Sequence, residues 1–198
     1  MLVLLLTKSK LHARHSVRIF GSLTFATSLL FAVWLLPRSQ PWAFFSLPTR
    51  AWELALGAVL ATVVSHVSKI DHKLINIVGF FGLLLVIFSG FFIRSANQFP
   101  GLLALLPTVG AGFIIFAGAH KGKTLTSNLL SEAPMQYIGK ISYSLYLWHW
   151  PLFVIPAIIV GHSLSWAVRT LLFFITFLAA SLSEKFIERP FKGDFLPI

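Results

Sequence analysis

Apolar residues run along this chain in unbroken blocks of about 20, separated by short polar segments, with no alternation of apolar and polar positions inside the blocks. A hydrocarbon core about 30 Å thick is crossed by about 20 helical residues, so each block can make one span. Strands of a membrane barrel would instead alternate over about 10 residues. Six spans are predicted, at 17–36, 51–67, 74–93, 99–119, 141–161 and 164–184. The first is closed by Pro37, and the second is preceded by Ser46, Pro48 and Thr49, residues suited to a helix start. The fourth holds Pro107 with Gly101, Gly110, Gly112 and Gly118, and is expected to be bent and closely packed. The fifth contains Pro151 and Pro156, and the sixth leads into a basic amphipathic tail. The predicted class is therefore all-α, a polytopic helical bundle in a membrane. Met1 to Leu6 reads as the end of a preceding helix, and the segment with His12 and His15 as a basic loop.

Composition narrows the reading. The chain is 57% hydrophobic and only 11% charged, where a soluble domain carries about 25% charge, which excludes an ordinary soluble enzyme. The net charge of +10 comes from Lys and Arg scattered between apolar runs, with no dense basic face, so nucleic acid is not the expected partner. Membrane lipid is. Twelve basic residues fall on one side of the bundle and four (Arg38, Arg50, Arg94 and Arg169) on the other. The richer side is expected to be cytoplasmic, which puts both ends of the chain inside and the 37–50 loop outside. Without cysteine there is no disulfide, thiolate nucleophile or cysteine metal site, and His12 and His15 have no nearby carboxylate to complete a metal site.

Candidate chemistry concentrates in two places. In the fifth span Ser142, Tyr146 and His149 fall within a sector of roughly 60° on a helix, with Tyr143 and Trp150 beside them. Pro151 cannot donate to the Leu147 carbonyl, leaving that oxygen for a side chain, water or ligand. An aromatic belt with His149 as a packing residue explains the same cluster, since a single histidine has no visible base or metal partner. In the second span Glu53 precedes Gly57, Ala61 and Ser65 at four-residue intervals, a stripe of small residues that would turn it toward protein, with Arg50 three positions earlier as its partner. A capping and packing pair and a polar step on a substrate path are both consistent with that spacing.

Three segments resemble the membrane acyltransferase 3 family, which modifies bacterial surface polysaccharides. They are FFSLPTRAWELALGAVLA at 44–61, IGKISYSLYLWHWPLFV at 138–154 and EKFIERPFK at 184–192. The resemblance implies a membrane O-acyltransferase of the bacterial inner membrane that takes an acetyl or related group from acyl-CoA, a substrate and not a resident cofactor. The acceptor it implies is a sugar hydroxyl of a surface glycan such as O-antigen lipopolysaccharide. The family also carries an Arg or Lys followed eleven residues later by His, and a stretch of the type SLSVEEQFY, in helices that this sequence does not match. Residues 1–198 are therefore expected to be a partial domain, the last six of about ten helices, inactive alone and complemented by a separately encoded N-terminal half. The base is expected outside this segment, with His149 the candidate within it, and Arg50, Glu53, Ser142 and Tyr146 lining a path or cavity. The competing readings are a transporter or flippase component, which Pro-broken helices and Glu53 would suit, and an inactive remnant.

Overall fold

A computed structural model describes residues 2–93, 101–161 and 164–193, and these are helical with no strand among them. The helices are α1 Leu2–Leu35, α2 Gln40–Phe45, α3 Ala51–Val63, α4 His72–Phe92, α5 Leu105–Gly118, α6 Leu125–Ser131, α7 Ala133–Val160, α8 Trp166–Ser183 and α9 Arg189–Gly193. Tight 3-10 turns at Leu47–Thr49, Val64–Lys69 and Leu102–Ala104 join some of them, and a π-helical turn, Glu184–Glu188, joins α8 to α9. Among the described residues, four stretches are long and apolar enough to cross a bilayer: Ala13–Leu35, His72–Phe92, Ala133–Val160 and Trp166–Phe191. This is the all-α membrane bundle that the apolar blocks predict.

Several boundaries differ. From Leu2 on, the opening residues belong to the same helix as the first span, and His12 and His15 are not in a loop: α1 runs unbroken from Leu2. No Gly or Pro occurs before Gly21, so nothing interrupts it. It stops at Leu35, just before the Leu36–Pro37 pair, where the residue preceding proline is pushed out of the helical region. The expected second span is shorter as an α-helix, because α3 tightens at Val64, where polar residues begin. The fourth is also shorter, Leu102–Gly118, and residues 99 and 100 lie outside the described region, as does Arg94. Pro107 sits in the first turn of α5, where its missing N–H is not needed, so it does not break the helix. The fifth begins earlier than expected, at Ala133, continues through Pro151 and Pro156, and ends on Gly161 in the left-handed conformation (φ 74°).

The chain divides into two compact units, Met1–Leu129 and Leu130–Ile198. In the first, α1 packs on α3 and α4 on α5. Gly21 lets α3 approach, since a Cβ there would lie 2.7 Å from Val59 Cγ2. Ser28 of α1 joins the same pair: its hydroxyl donates to Pro48 O at 2.5 Å and accepts from Trp52 N at 3.0 Å. Trp52 N lies in the first turn of α3, where amides lack an intrahelical acceptor and Arg50 at the cap position provides no side-chain bond, so Ser28 does the capping from another helix. At the other end of α3, Arg18 donates to Thr62 Oγ1 and Thr62 O, both at 2.9 Å, satisfying carbonyl oxygen where the helix ends. In the second unit α7 packs on α8 and the π turn.

Candidate functional site

The C-terminal unit carries a polar seam in an apolar helix pair. Tyr137, Lys140, Ser144 and Trp148 recur at intervals of three or four residues and so share one face of α7. Tyr137 OH donates to Ser181 Oγ at 2.9 Å, and Trp148 Nε1 donates to Ser183 Oγ at 2.8 Å. Lys140 Nζ lies 3.1 Å from Glu184 Oε1, and the Ser144 hydroxyl donates to Glu188 Oε1. Ser144 and Glu184 are buried. The π turn spans both carboxylates, and its extra residue per turn is a feature frequent at functional sites.

Beside this seam is a cavity of about 400 Å³, lined by Tyr143, Ser144, Leu147, Trp148 and Pro151 of α7 and by Ser183, Ile187 and Glu188. Its walls are mainly apolar, interrupted by two hydrogen-bonded pairs, Ser144 with Glu188 and Trp148 with Ser183. Leu147 and Pro151 both line it, and they are the pair whose backbone bond proline abolishes. Such an arrangement can hold a hydroxyl-bearing ligand: a carboxylate accepts from a hydroxyl, and the apolar walls limit competition from water.

The face picked out from sequence points elsewhere. At 100° per residue the sector with Ser142, Tyr146 and His149 lies roughly opposite the seam on α7. All three are exposed within their unit and do not line this cavity. Ser142 Oγ is occupied by Gly139 O at 2.7 Å. His149 and Tyr146 are adjacent, with ring centroids 5.7 Å apart. His149 Nδ1 reaches Tyr146 O at 2.7 Å and Leu145 O at 3.2 Å, and since carbonyls only accept, the proton of the neutral ring sits on Nδ1. Nε2 is then the basic nitrogen, held in a fixed tautomer, and no ion pair with His149 occurs among the described residues.

In the N-terminal unit Arg50 and Glu53 do come together, Nε to Oε1 at 3.6 Å, with side chains 45% and 29% exposed. Arg50 also lies over the Phe44 ring at 5.6 Å. A pair that open to solvent contributes little to stability. The small-residue stripe is not a packing face within this unit: Gly57 and Ala61 are exposed, and α1 instead meets Trp52, Ala55, Val59 and Thr62, one step around the helix. No group of three or more His, Asp or Glu gathers among the described residues.

Sequence reasoning missed Ser144, Lys140, Glu184 and Glu188. A signal was present, since Glu184 and Glu188 are four apart and thus on one helical face, but the same segment reads equally as a basic amphipathic tail.

Comparison with known proteins adds the family. The acyltransferase 3 family, described as an acyltransferase domain, matches residues 1–184. The peptidoglycan O-acetyltransferase OatA of Listeria monocytogenes is 29% identical over 179 residues, covering 84% of this chain and 29% of that protein. The YrhL protein of Bacillus subtilis is 28% identical over 188 residues, covering 88% and 29% respectively. The O-acetyltransferase OatA of Staphylococcus aureus is 30% identical over 158 residues, covering 75% and 26%. The chain thus spans less than a third of the length of these relatives. No solved structure matches.

Proposed function

Because this chain belongs to the acyltransferase 3 family of membrane O-acyltransferases, we propose that it forms part of an enzyme that moves an acetyl or related acyl group from acyl-CoA to a sugar hydroxyl of the cell wall. The names of the YrhL protein and of the Listeria OatA refer to peptidoglycan O-acetyltransferases, and they favour peptidoglycan over O-antigen as the acceptor class. The enzyme would sit in the cytoplasmic membrane with the lysine-rich loops inside. The seam between α7 and α8 carries the reading for this segment, because it places a hydroxyl and a carboxylate at a mainly apolar cavity within a bilayer-spanning pair.

Transfer to a sugar hydroxyl needs that oxygen held near the acyl carbonyl, its proton removed and the departing thiolate protonated. Glu188 would accept a hydrogen bond from the incoming hydroxyl, displacing the Ser144 hydroxyl that occupies it here. The Lys140–Glu184 pair would hold the π turn, and with it Glu188, against α7. This makes Glu188 a substrate-contacting residue and Lys140 and Glu184 positioning residues. His149 Nε2 faces away from the cavity in its unit and is not needed for this step.

The test is genetic. In the host organism, base-labile O-acetyl groups on the cell-wall glycan are measured after deletion of the gene and after complementation with wild type, Glu188→Gln and His149→Ala. Loss on deletion, recovery with wild type, and a fall of about tenfold or more with Glu188→Gln at unchanged protein level support the reading. Unchanged wall acetylation on deletion, or loss of uptake of a solute instead, would favour the remnant or transporter reading. Loss in His149→Ala with retention in Glu188→Gln would move the chemistry to the opposite face of α7.

A further inference from the structure

One end of the N-terminal unit presents four lysines on a hydrogen-bonded frame separate from the seam on which the proposed acyl transfer rests. Because α4 and α5 run antiparallel, the Val64–Lys69 turn and the start of α4 lie beside the 119–125 connection, over a base of fully buried Val67, Ile75 and Ala117. Leu125 N donates to Asn76 Oδ1 at 2.9 Å, Asn76 Nδ2 lies 3.1 Å from His72 Nδ1, and His72 Nε2 lies 3.1 Å from Lys123 O. The roles are forced in turn: the amide nitrogen only donates, so Nδ1 accepts, and the ring proton on Nε2 goes to the Lys123 carbonyl. Gly122 is pressed on the same ring, for a Cβ there would lie 2.9 Å from His72 Cδ2, and Gly122 N donates to His120 Nδ1 at 3.0 Å. The connection is therefore tied to α4 at both Lys123 and Leu125.

Lys121 and Lys123 project from this tied loop, and Lys69 and Lys73 from the segment it is tied to. All four are exposed, and none forms an ion pair among the described residues. Asp71, the one carboxylate among them in sequence, is used at the α4 cap, where it accepts from Lys73 N at 3.4 Å. Immediately beside the charges are large exposed apolar side chains, Leu74 at 57% and Ile77 at 64% at the start of the bilayer-spanning α4, and Leu125 at 70% at the start of the short α6. A soluble anion would use the lysines alone. A ligand with a phosphate head and hydrocarbon chains would use both.

We propose that this corner is a binding site for an anionic phospholipid, its headgroup phosphate on Lys69, Lys73, Lys121 and Lys123 and its acyl chains along Leu74, Ile77 and Leu125. Basic residues at a membrane surface attract anionic headgroups, and here the frame fixes where they stand. The site is independent of the acyltransferase reading and can be tested without any activity.

The purified full chain is placed in equimolar phosphatidylcholine and phosphatidylglycerol, and the lipids retained through detergent exchange are counted by native mass spectrometry. Wild type should enrich phosphatidylglycerol about tenfold over phosphatidylcholine, and Lys121→Gln with Lys123→Gln should bring that to about twofold or less. Lys121→Arg with Lys123→Arg should keep it, as should Lys185→Gln in the other unit. Asn76→Ala preserves every charge but unties the loop, and should lower the enrichment severalfold. Full enrichment in the double glutamine variant, or in Asn76→Ala, would overturn the site, the latter by reducing it to loose surface charge. Competition by millimolar inorganic phosphate that abolishes retention would identify a soluble phosphate ligand and overturn the lipid assignment. A glutamine variant that fails to fold leaves the Asn76→Ala and phosphate arms to decide.

Discussion

Lys140 Nζ and Glu184 Oε1 stand 3.1 Å apart, yet the two side chains differ sharply in burial, 50% exposed for the lysine and 8% for the glutamate. The cost of breaking the pair is therefore lopsided. Lys140→Met strands a buried carboxylate, whereas Glu184→Met leaves a lysine that can reach water along its flexible stem. A fully buried pair loses about 3–5 kcal/mol when one partner goes, and the half-open lysine reduces this to about 2 kcal/mol. Thermal denaturation in detergent should show Lys140→Met as the least stable variant, with the Lys140→Met, Glu184→Met double variant close to wild type. Equal losses for both single variants and an additive double would show that the two groups do not interact.

Backbone approach decides the second prediction. A Cβ on Gly82 would lie 2.7 Å from Gly110 O, and one on Gly110 would lie 2.8 Å from Gly82 O, so α4 and α5 touch main chain to main chain. Close approach of small residues is a chief source of helix association in lipid, where no hydrophobic drive acts between helices. At Gly90, on the same helix, nothing lies within 4 Å of the added carbon. Gly82→Ala should destabilise the folded chain by about 1–3 kcal/mol through overpacking. Gly90→Ala should be neutral or stabilise it by up to about 1 kcal/mol. The same sign for both, measured by unfolding in a denaturing detergent, would contradict the packing.

The apolar blocks made the membrane-helix class readable because a span is set by length and composition alone, as in the uncharged 74–93 block that became α4. Pairing of helices was not readable in this way. The stripe Glu53, Gly57, Ala61 has the spacing of a packing face, but Trp52 and Thr62 are held by Ser28 and Arg18 from α1, and those bonds turn the stripe outward in this unit. Likewise the cluster Ser142, Tyr146, His149 stands out by residue type, while the polar seam is defined by distant partners, Ser144 with Glu188 and Lys140 with Glu184, 44 positions apart in each case. A polar residue's neighbours in sequence cannot report such a partner.

Thr126 supplies a prediction of the opposite sign. It is 3% exposed, and its hydroxyl has no hydrogen-bond partner among the described residues, pressed toward Gly79. A buried hydroxyl without a partner loses its water and gains nothing in return. Thr126→Val keeps the shape and β-branching and removes the polar atom, so it should stabilise the chain by about 1 kcal/mol. The neighbouring Thr124 makes a contrasting control, since its hydroxyl accepts from Ser127 N at 3.1 Å at the start of α6. Thr124→Val should destabilise by about 1 kcal/mol through loss of that cap. A loss of stability in Thr126→Val equal to that in Thr124→Val would mean the Thr126 hydroxyl is satisfied, for example by a bound water.

Orientation rests on charge asymmetry and is tested by labelling. The chain has no cysteine, so single replacements report one position each. Gln40 starts α2, after the end of α1, while Lys121 lies on the exposed connection after α5. Twelve of the sixteen basic residues fall on the Lys121 side by sequence, and translocation of clustered Lys and Arg is disfavoured, so that side should stay in the cytoplasm. Gln40→Cys in intact cells should react with an impermeant maleimide, and Lys121→Cys should react only after the membrane is permeabilised. The reverse pattern would invert the bundle and move the lysine corner to the outer leaflet. Labelling of both positions in intact cells would mean an even number of crossings between them, whereas the expected pattern needs all three of α3, α4 and α5 to cross: Ala51–Val63 and Leu102–Gly118 are the two shorter apolar segments, and failure of one of them to cross would put Gln40 and Lys121 on the same side.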